Sequence, residues 1–252
     1  SYNPMALPPI DTLVMLALIV SLAYAIYGLT GFGAIIAGMP FLLIFIPLHT
    51  AAPIMQVYSL AAGSMVANQK RGSADLRELW YLAPFMLLGL TIGTTILIYV
   101  PEKYLLLLLG VFLVCYSSWS LFFQPVGKPI AVAWASLFGT AGGIFSAIFG
   151  TGGPLFAIFL ARRIDDKEVL RTTTNLVLFI AGAIRLLMLV ITGFFSRDEV
   201  IHLGLLLLPC AVAGVLVGSR LHRRVSLRFS MQATWLVLIV AGITVVQQGL
   251  DR

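Results

Sequence analysis

Charged residues are scarce in this chain. Only 10% of its 252 residues are charged and 60% are hydrophobic, whereas an ordinary soluble domain carries about 25% charged residues. A water-soluble fold of this size would lack the polar surface that it needs, so the composition excludes a soluble globular protein and makes lipid the solvent. At about 20 residues per crossing, the length allows eight to ten membrane spans and leaves no extramembrane domain.

Carboxylates are absent from the interior of the apolar runs. Their absence excludes a carboxylate relay for protons and a carboxylate cage for a metal cation in the core. The three histidines, His49, His202 and His222, also lie near the ends of runs, where an interfacial role is favoured over proton transfer. We therefore expect no metal and no cofactor. The acidic residues all lie in loops or at predicted helix ends: Asp11, Asp75, Glu78, Glu102, Asp165, Asp166, Glu168, Asp198, Glu199 and Asp251.

Other chemical signatures are missing too. No GxxxxGK[ST] phosphate loop occurs, so direct use of ATP by this chain is not expected. An intramembrane enzyme would need a nucleophile and a base at membrane depth, and the positions of the histidines argue against one, so we expect a protein that is not an enzyme. Cys115 and Cys210 both lie in apolar runs, where a free cysteine behaves as a small hydrophobe, and they do not indicate a redox compartment.

Ten apolar runs follow one another along the chain. Eight are long enough to cross about 30 Å of hydrocarbon, but 34–47 and 154–162 would extend only about 21 and 14 Å as helices, so we expect two half-helices. The first run lacks the basic flank and the cleavage site of a signal peptide, which favours a retained helix. The runs are 11–29, 34–47, 51–69, 79–99, 103–123, 129–149, 154–162, 169–194, 199–220 and 228–249.

The basic residues indicate the orientation. If each run reverses the direction of the chain, one set of loops contains only Lys103, Arg197 and Arg252. Cytoplasmic loops are rich in Lys and Arg, so the opposite set is predicted to be cytoplasmic and both termini to face outward. This asymmetry explains the net charge of +6 without nucleic acid. The predicted cytoplasmic residues are Lys70, Arg71, Arg77, Lys128, Arg162, Arg163, Lys167, Arg171, Arg220, Arg223, Arg224 and Arg228.

The two halves of the chain resemble each other at an offset of 119 residues. This offset pairs Gly31 with Gly150, Gly33 with Gly152, Gln56 with Asn175, Ala62 with Ala181 and Gly63 with Gly182. After six inserted residues the similarity resumes, and Leu82, Pro84, Gly89 and Gly93 pair with Leu207, Pro209, Gly214 and Gly218. Coincidence among the abundant glycines, alanines and leucines is the alternative explanation. The order of the Gly and Pro matches favours a true repeat.

Each repeat contains five runs, and an odd number makes the second repeat enter the membrane from the other side. The predicted fold class is therefore all-α: a polytopic transmembrane helical bundle of two inverted-topology repeats, with about eight spanning helices and two half-helices. The repeats occupy residues 11–123 and 129–249 of a single membrane domain. Residues 1–10 are expected to form a tail, in which Ser1 to Pro4 look like a cloning remnant before a native Met5. Inverted repeats with interrupted helices are a common transporter architecture.

Glycine-rich turns precede both half-helices and are the predicted binding site. Glycine permits the left-handed backbone of a tight turn, and the helix start that follows presents unpaired N–H donors and the positive end of a dipole. Such donors need a partner inside a membrane, and an anion suits them. Close helix packing at small residues is the alternative role. The predicted residues are Thr30, Gly31, Phe32, Gly33 and Ala34, and Gly150, Thr151, Gly152 and Gly153.

Three polar residues within the runs extend this predicted site. Gln56 and Asn175 occupy equivalent positions in the repeats and can donate hydrogen bonds to an oxyanion, or instead bridge neighbouring helices. Arg185 is the single charge well inside a span, about 12 Å from the outer end of its run. An intramembrane charge suggests a function by default. We therefore expect Arg185 to be a counter-charge or gate for the substrate, with packing or snorkelling as the alternative.

The two glycine stretches, GFGA at Gly31 to Ala34 with Pro40 following and GTGGP at Gly150 to Pro154, carry a family resemblance. The sequence resembles the sulfite exporter TauE/SafE family of bacterial membrane permeases over essentially its whole length. Each half of that family opens with a GxGGG motif, from which Ala34, Ile35 and Pro154 depart here. The resemblance implies export of sulfite or of organosulfonates such as sulfoacetate, and some members are associated with other small carbon or sulfur compounds.

Together these observations predict a transporter that exports a small anion from the cytoplasm of a bacterium by alternating access. An anion channel of the same architecture is the alternative, because a continuous pore could use the same half-helices. The expected partners are the anionic substrate and the lipid bilayer of the inner membrane, with no nucleic acid. The sequence leaves the oligomeric state open, a homodimer included.

Overall fold

A computed structural model gives the fold. It describes residues 8–30, 33–67, 73–122, 129–196, 198–221, 239–247 and 249–250. Within these ranges the chain is all-α and contains no strand, with short 3-10 turns at Val132–Trp134 and Phe194–Ser196 and further helical residues at 239–247. The helices are α1 Ile10–Thr30, α2 Ala34–Leu42, α3 Leu48–Ala67, α4 Leu76–Tyr99, α5 Glu102–Phe122, α6 Ala135–Phe149, α7 Gly153–Ala161, α8 Lys167–Ile191 and α9 Asp198–Leu221.

Five helical segments in the described ranges are both long and apolar enough to cross a membrane: Ile10–Leu29, Leu76–Tyr99, Val132–Phe149, Lys167–Ile191 and Asp198–Leu221. The helices α3 and α5 have 20 and 21 residues. The eight predicted spans therefore remain a prediction. Large apolar side chains on the outer faces of the spans, such as Leu22, Leu88 and Leu205, are exposed, as lipid contact requires.

Both predicted half-helices are present as short helices. The helices α2 and α7 have nine residues each, which gives about 14 Å of length. The first is shorter than the run at 34–47 suggested, because the helix ends at Leu42 and is followed by a turn. Pro47 prevents the helix from continuing through this turn, since its ring clashes with the carbonyl of Leu43 and disfavours helical backbone at Ile46.

Helix α8 places a charged residue in the core. Its buried side chains are Thr173, Val177, Ala181, Arg185 and Leu189, which recur every four residues and so form one stripe along the helix. Asp166 caps the start of the helix by accepting hydrogen bonds from the backbone amides of Glu168 and Val169 at 2.8 and 3.0 Å. The stripe faces inward over its whole length, which leaves Arg185 no route to the surface along this face.

Glycines bring helices from opposite halves into close contact. Helix α1 packs along α9, and α4 packs along α6. At Gly214 there is no room for a Cβ atom beside the carbonyl oxygen of Ser21, and at Gly89 there is none beside the carbonyl oxygen of Thr140. Small residues let helix backbones approach in this way inside a bilayer. The first helix of each half is therefore packed against the fourth helix of the other.

An ion pair ties α4 to the end of α7. The Arg163 guanidinium donates to both carboxylate oxygens of Glu78, from Nε at 2.6 Å and Nη2 at 2.8 Å, and donates from Nη1 to the carbonyl oxygen of Ile130 at 2.8 Å. The hydrogen bond to Glu78 raises the pKa of Arg163 above its ordinary value, so the guanidinium stays charged. Glu78 is buried and Arg163 largely so, and this fork geometry is the strongest form of such a pair.

Replacing Glu78 with glutamine is expected to destabilise the protein. The change leaves a largely buried guanidinium without its counter-charge, which costs about 3 kcal/mol and corresponds to about 6–12 °C in melting temperature for a chain of this size. The measurement is thermal unfolding of the purified protein in detergent. Arg77→Gln is the control, because Arg77 lies in the same turn of α4 but is exposed, and among the described residues its side chain hydrogen-bonds to Tyr81 and to no carboxylate. An equal shift in both variants would contradict the role assigned to the pair.

Candidate anion site

Arg185 of α8 is only 1% exposed. Its Nε donates to the carbonyl oxygen of Ala147 at 2.9 Å, and Nη2 donates to that of Ile148 at 3.2 Å. Its Nη1 donates to Oε1 of Gln56 at 2.7 Å. The guanidinium thus caps the C-terminal end of α6, where the helix dipole favours a cation, and does not snorkel to the membrane surface.

No carboxylate of the described residues pairs with Arg185. Every acceptor that the guanidinium contacts is neutral, and three of its five N–H groups are used. Estimates of the cost of an arginine at the centre of a bilayer begin at about 2.5–3.5 kcal/mol. The neutral acceptors offset part of that cost. The remaining positive charge and the two spare N–H donors make this point the strongest candidate in the described ranges for binding an anion.

The second glycine turn lies directly against this guanidinium. Gly150 ends α6 with a φ of 73°, a left-handed conformation that glycine adopts without strain. A Cβ atom built on Gly150 would lie 2.6 Å from Nη1 of Arg185 and 2.6 Å from Cδ1 of Ile35. Ile35 belongs to the first turn of α2. The second glycine turn is therefore in contact both with Arg185 and with the start of the first half-helix.

The amides of this turn are only partly available. The N–H groups of Gly150 and Thr151 donate to the carbonyl oxygens of Ser146 and Phe145. In contrast, the N–H groups of Gly152 and Gly153 make no hydrogen bond within the described ranges. The Thr151 hydroxyl is fully buried and also has no partner there. Two amides and one hydroxyl at the start of α7 thus have no acceptor among the described residues.

The first glycine turn is described in part. Gly33 precedes α2 with a φ of 91°, and no atom of the described chain lies within 4 Å of a Cβ built there. The amides of Ala34, Ile35 and Ile36 have no helical partner, as at any helix start. Thr30 ends α1, but its side chain, together with Gly31 and Phe32, lies outside the described residues.

The equivalent residues Gln56 and Asn175 differ in their contacts. Gln56 is buried, and besides accepting from Arg185 it donates from Nε2 to the carbonyl oxygen of Gly182 at 3.1 Å. It therefore both bridges helices α3 and α8 and orients the guanidinium. Asn175 is half-buried, and its side chain forms no hydrogen bond to any described residue. The structure thus brings Gln56, Gly150 and Arg185 together and leaves the Asn175 amide free.

A separate shallow cavity of about 200 Å³ lies near the end of α8. His49 and Phe194 stack across it with ring centroids 5.5 Å apart, and Thr192 contributes a hydroxyl. Seven residues of α8, about 10 Å, separate Thr192 from Arg185. The cavity belongs to the predicted outer surface and is not part of the glycine-turn site.

Comparisons with known proteins agree with the membrane architecture. The family model described as "Sulfite exporter TauE/SafE" matches residues 16–245. Over 187 residues the chain is 26% identical to the probable inner membrane transporter protein TsaS of Comamonas testosteroni. The aligned region covers 72% of this chain and 78% of that protein. No solved structure matches the chain.

Proposed function

The chain belongs to the sulfite exporter TauE/SafE family of membrane transporters, and from this premise we propose that it exports a small oxyanion, sulfite or an organosulfonate, across the bacterial inner membrane by alternating access. The observation that carries the proposal is Arg185, a fully buried cation whose acceptors in the described chain are all neutral. A transported anion would supply the missing negative charge. The similarity to a probable inner membrane transporter supports the location.

The groups around Arg185 suit an oxyanion. The two spare N–H groups of the guanidinium can donate to two oxygens of a sulfite or sulfonate group, a planar fork that arginine offers to oxyanions. The Thr151 hydroxyl and the amides of Gly152 and Gly153 can donate to the third oxygen and to lone pairs that the guanidinium leaves unused. Each hydrogen bond to a charged group contributes about 1.5–3 kcal/mol. These donors lie at the start of a helix, so little conformational entropy is lost when the anion binds.

The internal repeat supports the alternating-access part of the proposal. The offset of 119 residues carries both bounds of α2 onto those of α7 and the start of α3 onto the start of α8. It also makes Ser21 the equivalent of Thr140. The contact of Gly214 with Ser21 then corresponds to the contact of Gly89 with Thr140. A pair of equivalent halves packed reciprocally can exchange conformations, and this rocking opens the site alternately to each side.

The unequal contacts of Gln56 and Asn175 fit one of the two conformations. In the present one, Gln56 crosses to the carbonyl of Gly182 and Asn175 has no hydrogen bond within the described chain. In the opposite conformation the halves exchange roles, so Asn175 would cross to Gly63, the equivalent of Gly182. A Cβ atom on Gly182 would lie 2.8 Å from Nε2 of Gln56, so a larger residue there would displace this amide from its hydrogen bond.

Export agrees with the energetics of a negative interior. Moving one negative charge outward gains about 2.3 kcal/mol per 100 mV of membrane potential. A monovalent anion therefore leaves without a coupled ion. The absence of carboxylates from the interior of the apolar runs is compatible with a uniporter of this kind.

The test is transport by the purified protein in liposomes. Vesicles loaded with labelled sulfite or sulfoacetate should release it in a saturable manner, faster when a potassium diffusion potential makes the interior negative. Unlabelled substrate on the opposite side should accelerate the release of label, because a transporter that alternates access returns to its first conformation faster with substrate bound than when empty. Chloride and acetate efflux are the controls for selectivity. Flux that never saturates and shows no exchange would indicate a channel, and no flux of either sulfur anion would overturn the substrate assignment.

A further inference from the structure

Hydroxyl groups form a row beside the candidate anion site, on the facing surfaces of α1 and α3. Tyr24 is fully buried and donates to the carbonyl oxygen of Met55 at 2.9 Å. Its oxygen also lies 2.9 Å from Oγ of Ser59. Met55 directly precedes Gln56, which accepts a hydrogen bond from Arg185, so the row begins beside the residue that holds the guanidinium.

The row continues one turn further along both helices. Ser59 and Gly63 follow Gln56 by three and seven residues on α3, which places all three on one face of that helix. Tyr27 follows Tyr24 by three residues on α1, and the two rings lie 6.2 Å apart. The row therefore runs from the layer of Gln56 towards the end of α1, where the first glycine turn begins.

Tyr27 is the member of the row with a free hydroxyl. Its oxygen forms no hydrogen bond to a described residue, and it would lie 3.3 Å from a Cβ atom on Gly63. Gly63 therefore leaves the space that the hydroxyl faces. In a bilayer an unpaired donor is costly, and polar groups within spans mark the paths of substrates. The hydroxyls of Tyr24 and Ser59 are already bonded and hold the neighbouring wall in place.

We propose that Tyr27, supported by Tyr24 and Ser59, forms a second binding position on the translocation path, at which the oxyanion is held by a neutral hydroxyl between the first glycine turn and Arg185. This inference rests on the proposed function and adds a second position to the site. A neutral donor binds an anion more weakly than a guanidinium, and several weak positions in series favour passage over trapping. The second repeat has no tyrosines at the equivalent positions, which are Gly143 and Ser146.

The first experiment removes one oxygen atom. In Tyr27→Phe, the half-saturating sulfoacetate concentration for exchange in liposomes should rise about tenfold, because the variant loses one hydrogen bond to a charged group. Thermal stability should change little, because the hydroxyl has no partner in the described chain. Tyr104→Phe is the matched control, since Tyr104 is exposed at the start of α5. An unchanged half-saturating concentration in Tyr27→Phe would overturn the proposal.

The second experiment tests access to water and does not require transport. Cys115 and Cys210 are first replaced by alanine, and Ser59→Cys is compared with Val57→Cys, a position on the exposed face of the same helix. A methanethiosulfonate bearing an ethylsulfonate group should modify Ser59→Cys about tenfold faster than Val57→Cys, because a charged reagent does not enter lipid. At Ser59→Cys this anionic reagent should also react faster than the cationic trimethylammonium analogue. Added sulfoacetate should slow its reaction there.

The outcomes separate this inference from the proposed function. Rapid modification at position 59 by the anionic reagent, without protection by sulfoacetate, would support the path and count against that substrate. Equal rates at positions 57 and 59 would overturn the path, whatever the protein transports.

Discussion

Replacing Arg185 with glutamine is expected to reduce sulfite or sulfoacetate exchange in liposomes by about a hundredfold or more. The change removes the positive charge and at least one charge-assisted hydrogen bond to the anion, about 3 kcal/mol together, and about 1.4 kcal/mol corresponds to a factor of ten. Arg185→Lys should retain part of the activity. Lysine keeps the charge but cannot offer the planar fork.

Folding and transport must be separated in these variants, because Arg185 also caps α6 through Ala147 and Ile148. Thermal unfolding and elution as a single species in detergent report on folding, and the half-saturating concentration and its selectivity among anions report on binding. A purely structural arginine would give variants with reduced stability and unchanged half-saturating concentrations. That result would remove the observation on which the anion site depends.

The second large effect is expected at Gly152. A Cβ atom there would overlap the carbonyl oxygen of Gly142 and Oγ of Ser146, and a backbone carbonyl cannot move aside as a side chain can. In Gly152→Ala the start of α7 must therefore shift by about 1 Å, and a displacement of that size in a positioned site costs about a hundredfold in rate. We expect loss of exchange in a protein that still inserts into the membrane.

Two other glycines provide a graded comparison for Gly152→Ala. Gly33 has a left-handed backbone but no described atom near its Cβ position, so Gly33→Ala adds about 1–2 kcal/mol of strain and should reduce exchange less than Gly152→Ala. Gly204 is the control, since its Cβ would meet only Cγ1 of Ile54 at an ordinary 3.8 Å. If Gly204→Ala were as inactive as Gly152→Ala, general intolerance of α-helical substitutions would explain both.

Much of the helical pattern could be predicted from the sequence. Segments predicted at 79–99 and 154–162 became α4 at Leu76–Tyr99 and α7 at Gly153–Ala161, because long apolar stretches in lipid must satisfy their backbone groups as helices. The membership of the sulfite exporter family was also predicted correctly. The end of α2 was placed five residues too late. Apolar composition alone does not report the local restriction that Pro47 imposes.

The contacts of the candidate site could not be predicted in the same way. The offset alignment made Gln56 the equivalent of Asn175 but indicated no contact for either, and the structure joins Gln56 to Arg185, 129 positions away. That contact depends on the directions of two side chains and on the crossing of α3 and α8. Nor does a glycine motif show which amides are free, and here Gly150 and Thr151 already donate to α6. The row of hydroxyls has only a weak signal in the sequence, namely that Tyr24 and Tyr27 are spaced about one helical turn apart.

The packing of α1 against α9 has a consequence for biosynthesis. Ser21 donates to the carbonyl oxygen of Cys210 across 189 positions of sequence, and Gly214 and Gly218 of α9 lie against the backbone of α1. At about 5–20 residues per second, the ribosome needs roughly 10–40 s to make the second helix after the first. During that interval α1 is in the membrane without α9. The translocation machinery must therefore maintain the orientation of α1 until the last third of the chain has been synthesised.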